Sequence, residues 1–126
     1  MDNSREVLVL EPDPAVRILL VAIVKHRRLH PVACGNAREA ASHCVDRDRF
    51  GTVILDADMP RADALLRGLT NPPGGERPKI ILASALSNPH IEYADVDFVV
   101  TKPFQIDEIH AALAACCPCD ATTIPA

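Results

Sequence analysis

The stretch that decides the fold is Thr52-Val53-Ile54-Leu55-Asp56-Ala57-Asp58-Met59-Pro60. Four apolar or β-branched residues run straight into a carboxylate, with no alternation of polar and apolar positions. A short run of this kind, bounded by turn residues, predicts a strand buried on both faces. In an open parallel sheet, binding groups gather where such strands end. Asp56 and Asp58 stand at that point.

Reading outward, the same pattern recurs. Glu6-Val7-Leu8-Val9-Leu10, His30 to Cys34, Lys79-Ile80-Ile81-Leu82-Ala83 and Asp97-Phe98-Val99-Val100-Thr101 are the other predicted strands. Helical spacing lies between them. Asp13-Pro14 predicts a helix start, with Asp as N-cap and Pro at the first helical position. Val16, Leu19, Leu20, Ile23 and Val24 follow on one face, and the helix fades near Arg27-Arg28. Asn36 with Glu39 resembles a capping box, a motif usually led by Ser or Thr. Ala37, Ala40, Ala41 and Cys44 form the stripe of the second helix. A third runs from about Ala62 to Leu69, and a last one from Gln105 to Cys116 with Ile106, Ile109, Leu113 and Ala114 on one face. Strand-helix alternation of this order argues a parallel sheet covered by helices on both sides.

A length of 126 residues suits one domain, expected over residues 1–117, with 118–126 a flexible tail. Aromatics are scarce, so the core is built from Val, Ile, Leu and Ala. The net charge of -4 and the lack of long basic runs argue against a nucleic-acid surface. Lys25-His26-Arg27-Arg28 reads as a solvated helix end that suits the helix dipole. No apolar run reaches the roughly 20 residues that span a bilayer, and the first residues show no signal-peptide layout. A cytoplasmic protein without membrane contact is expected. Cys34 and Cys44 read as buried thiols. Cys116, Cys117 and Cys119 lack the spacing and His partners of a metal site and read as ordinary or oxidation-prone thiols. The five His are scattered and show no metal or triad spacing.

Chemistry collects at the strand ends. Glu11, Pro12 and Asp13 follow the first strand, Asp56, Ala57 and Asp58 the third, Ser84 the fourth, and Lys102 and Pro103 the fifth. Clustered carboxylates can bind a hard divalent cation such as magnesium. A charge-neutralised Asp can attack a phosphoryl group. Lys and Ser can then hold the new phosphoryl oxygens.

With these residues in place, Val9 to Arg17, Val53 to Pro60 and Thr101-Lys102-Pro103-Phe104 resemble the signature segments of response-regulator receiver domains of two-component systems. The resemblance runs from about Glu6 to Cys116. It implies a flavodoxin-like (βα)5 fold, a doubly wound five-stranded parallel sheet. It makes Asp56 the phosphoacceptor, Ser84 the switch hydroxyl, Lys102 the phosphate-binding Lys, and the Lys102–Pro103 bond cis. It implies magnesium held by Glu11, Asp56 and the backbone carbonyl of Asp58, with Asp13 able to reach in.

The departures are specific. Pro12 stands where the second acidic ligand belongs, and Asp13 reads first as a helix cap. About a dozen residues join Ser84 to Asp97, with Pro89 among them, so the fourth helix is expected to be shortened. Val99 stands at the aromatic switch position, and Phe98 faces the other way by strand alternation. Ala64 replaces a frequent Gly.

Two functions stay open. The first is a stand-alone receiver, not an enzyme, that takes a phosphoryl group from a histidine kinase or phosphotransfer protein and signals to a downstream protein partner. The second is a receiver-like protein-binding module that works without phosphate. Homodimer formation is left open. An aspartyl phosphatase would need more chain for a substrate pocket.

Overall fold

The three central strands are apolar through their middles because each is covered on both faces. In the computed structural model, which describes residues 5–44, 49–70, 77–85, 91 and 93–117, these are β1 (Glu6–Leu10), β3 (Thr52–Asp56) and β4 (Lys79–Ser84). With β2 (His30–Cys34) and β5 (Phe98–Thr101) they form one parallel sheet in the order β2-β1-β3-β4-β5. Alternate residues serve opposite layers. Leu8, Leu10, Val53, Leu55, Ile80 and Leu82 pack with α2 (Ala37–Cys44) and α3 (Ala62–Thr70). Val7, Val9, Ile54, Ile81 and Val100 pack with α1 (Pro14–His26) and α4 (Ile106–Cys116). This is the doubly wound architecture that the strand-helix alternation predicts.

Helix ends follow their sequence signals, with one exception in residue type. Asp13 caps α1 by accepting from the Ala15 and Val16 amides, and Pro14 opens the helix. At the other end the Leu29 amide bonds to Val24 O at 3.1 Å and the Arg28 amide to Lys25 O at 2.9 Å. That bond pair is a Schellman turn, and it puts Arg28 at a left-handed φ of 62°, where Gly is the usual choice. Asn36 Oδ1 accepts from the Glu39 amide at 2.9 Å, while Glu39 reaches back to the Gly35 amide at 3.3 Å.

Three expectations need correction. Arg27 is buried rather than solvated, and its Nη1 lies 3.2 Å from His110 Nδ1 on α4. The buried face of α4 is Ile109, Ala112, Leu113 and Cys116, while Ile106 is half exposed and Ala114 exposed. Ala114 is five residues from Ile109, about 140° around a helix, so it cannot share that face. Of the two readings of Cys116 and Cys117, oxidation-prone gives way to ordinary core thiols, since both are buried; burial, with Asp97 and Cys117 nearby, pushes the Cys116 thiol up to about 11. Cys34 is buried as expected.

Between β4 and β5, the described residues hold a single 3-10 turn, Tyr93–Asp95. Ile91 still packs into the α2–α3 layer from that connection. Pro89, the Cys44 side chain, Cys119 and the expected tail lie outside the described residues.

Candidate functional site

All four predicted strand ends converge on one edge of the sheet. Glu11 leaves β1 with its amide still in the ladder, 3.1 Å from Cys34 O, and its side chain is buried. Asp56 is the last residue of β3, level with Ala83, and is also buried. Ser84 closes β4 level with Thr101 of β5. Lys102 follows at once, its amide 2.8 Å from Ser84 O, and the Lys102–Pro103 peptide is cis.

The charges form a closed set. Lys102 Nζ lies 2.6 Å from Glu11 Oε1 and 3.3 Å from Asp56 Oδ2. Burial alone would lower the Lys102 pKa. The hydrogen bond it donates to Glu11 and the Asp56 and Glu11 charges outweigh it and hold the ammonium above its ordinary range. The other carboxylate oxygens are also engaged: Glu11 Oε2 accepts from the Asp13 amide at 3.0 Å, and Asp56 Oδ1 from the Asp58 amide at 2.9 Å.

The Asp58 side chain turns toward β4. Its Oδ2 accepts from the Ala85 amide at 2.9 Å, and its Oδ1 lies 3.4 Å from the Ser84 hydroxyl. Asp13 is not drawn into the site, because its carboxylate serves the first turn of α1. Phe98 packs with the α1–α4 layer and Val99 is half exposed, as strand alternation requires.

Two residues of the site were not singled out by sequence reasoning. Arg17 Nη1 donates to Glu11 O at 2.9 Å and Pro12 O at 3.3 Å, tying the loop that carries Glu11 to α1. Gly35 makes room for it, since a Cβ there would stand 2.5 Å from Arg17 Nη1. The available signal was the position of Arg17 one turn into a helix whose cap, Asp13, stands two residues after Glu11.

Magnesium, implied by the resemblance, can be tested against this donor set. Glu11 and Asp56 do converge on one cation position, but the Lys102 ammonium fills it. Pro12 supplies no ligand, and the Asp58 carboxylate points to β4. Among the described residues no three His, Cys, Asp or Glu side chains are grouped to hold a metal ion. The Glu11 and Asp56 carboxylates as arranged hold the Lys102 ammonium.

Beside the site a groove of about 440 Å³ runs between Val16 and Leu19 of α1 and the segment Lys102-Pro103-Phe104. Among the described residues, no helix is long and apolar enough to cross a membrane.

No family model and no curated protein matches the sequence. Solved structures do match in shape. The chain is similar to a signal receiver domain of a response regulator from Bermanella marisrubri, with a TM-score of 0.75 at 20% identity over 89% of this chain and 97% of that one. It is similar to the receiver domain of a sensor histidine kinase from Pseudomonas aeruginosa PAO1, with a TM-score of 0.77 at 17% identity over 90% and 98% of the two chains. That structure has a magnesium ion coordinated in its active site cleft. A chemotaxis response regulator of Vibrio cholerae gives a TM-score of 0.75 at 16% identity over 86% and 95%. At these identities the likeness is one of fold. The fold is the flavodoxin-like doubly wound sheet, in the strand order β2-β1-β3-β4-β5, and it is similar to that of these receiver domains.

Proposed function

We propose that this chain is a receiver module that accepts a phosphoryl group on Asp56 from a histidine kinase or phosphotransfer protein and signals through protein contacts. The observation that carries this reading is the meeting of Asp56, Lys102 and Ser84, from three different strands, at one sheet edge. An Asp56 carboxylate oxygen forms the new O–P bond as the P–N bond to the donor imidazole breaks, and the imidazole leaves with the electron pair. Lys102 is 3.3 Å from Asp56 Oδ2 and is the cation that meets the transferred charge. The groove along α1 gives a partner side chain an approach to Lys102.

A second reading has its own observation. The Glu11 and Asp56 carboxylates already share the Lys102 ammonium as an internal cation, and Pro12 replaces an acidic ligand. These features favour a protein-binding module that works without phosphate. Incubation with phosphoramidate, with and without magnesium, followed by intact mass, separates the two. A gain of one phosphoryl group that Asp56→Asn lacks supports the first reading. No gain under either condition supports the second.

A further inference from the structure

Two neighbouring donors at the end of β4 already hold an anion. The Ala85 amide donates to Asp58 Oδ2 at 2.9 Å, and the Ser84 hydroxyl lies 3.4 Å from Asp58 Oδ1. A hydroxyl followed by a backbone N–H, both directed at one acidic group, is a corner that takes an oxyanion. The Asp58 amide meanwhile donates to Asp56 Oδ1 at 2.9 Å. One residue thus touches the proposed phosphoacceptor through its backbone and the β4 corner through its side chain.

We propose that the Asp58 carboxylate is a built-in ligand of an anion-binding corner formed by Ser84 and Ala85, and holds the end of β4 in its anion-bound arrangement before any phosphoryl group arrives. The ligand class of the corner is a tetrahedral oxyanion, for which a carboxylate is the internal substitute. A phosphoryl group on Asp56 must displace Asp58 to reach these donors, because two anions cannot share them without repulsion. This consequence rests on the reading of Asp56 as phosphoacceptor. The occupied corner itself does not.

The test uses the full chain, free of phosphoryl donors. Asp58 is exposed, so truncating it leaves the core packing in place. In Asp58→Ala the Ala85 amide should exchange with solvent about tenfold faster than in the parent, the size expected for losing a bond to a charged acceptor. Inorganic phosphate should then shift the Ser84 and Ala85 amide resonances of Asp58→Ala at concentrations that leave the parent unmoved. Asp58→Asn keeps the shape but drops the charge and should fall between. Equal Ala85 exchange in the parent and Asp58→Ala overturns the proposal, as does a parent that responds to phosphate as readily as the variant. If phosphoramidate adds no mass to any of the three proteins, the phosphoacceptor reading fails while the exchange comparison still decides the corner.

Discussion

Lys102 and Glu11, at opposite ends of the folded chain, meet at 2.6 Å with the Glu11 side chain only 2% exposed. Glu11 would not tolerate that burial as a lone anion. Asp56, 6% exposed, leans on the same ammonium at 3.3 Å. Replacing Lys102 with Met therefore strands two buried carboxylates side by side. The expected cost is about 3–5 kcal/mol, the usual penalty for breaking a buried pair from one side. Glu11→Gln should cost less, because Asp56 keeps its partner. Urea titration of both variants checks the order. A Lys102→Met chain as stable as the parent would mean that water neutralises these carboxylates. Lys102 has a raised pKa, so its contribution is fully present below the unfolded value of 10.5 and is lost as pH climbs through the higher folded value.

His110 gives a pH dependence of the opposite sense. Burial, then the Arg27 guanidinium 3.2 Å away and His26, lowers its pKa, against a smaller opposing pull from Asp107. The folded chain therefore binds a proton less readily than the unfolded one. The stability is complete above the ordinary value of 6.5 and drains as pH falls below it toward the folded value. Denaturation midpoints at about pH 8 and about pH 5 should differ more in the parent than in His110→Gln. Equal slopes in the two proteins would remove His110 from the account.

How much of this was legible follows from range. The strands, the α1 cap and the strand-end residues were readable because short apolar runs and an Asp-Pro start act locally. The convergence of Glu11, Asp56, Ser84 and Lys102 followed once the sheet was parallel, since strand ends then share an edge. The resemblance added roles and the cis bond. What the sequence did not reveal depends on where side chains turn. Nothing local tells Arg27 from Arg28, yet one is buried against His110 and the other sits at a left-handed turn. Asp58 was read for its carbonyl, whereas its carboxylate reaches across to β4. Ile106 and Ala114 were misplaced because a four-residue list fits more than one helical face.

The backbone offers two gains in stability. Arg28 holds a φ of 62° that a side chain disfavours, and Gly68 lies inside α3 with nothing within 4 Å of where a Cβ would stand. Arg28→Gly relieves the left-handed residue at the end of α1, and Gly68→Ala lowers the entropy of the unfolded chain. Each should add about 0.5–1 kcal/mol. Their effects should sum, since the helices lie on opposite faces of the sheet. Thermal melts of the two single variants and the double variant check this. A loss of stability in Arg28→Gly would show that the side chain outweighs the strain.

The link between Arg17 and Gly35 can be measured as a coupling. Arg17 Nη1 holds Glu11 O at 2.9 Å and Pro12 O at 3.3 Å, and it sits 2.5 Å from where a Gly35 Cβ would be. Gly35→Ala must push the guanidinium away, so it breaks what Arg17→Met breaks by another route. Each should cost about 1.5–3 kcal/mol, the scale of hydrogen bonds involving a charged group. Together they should cost less than their sum by at least about 0.5 kcal/mol, because the second change finds the contact already gone. Simple addition in a denaturant double-mutant cycle would mean that Gly35 acts through its own backbone. A coupled loss makes Arg17 the residue that positions Glu11, and with it the carboxylate that meets Lys102.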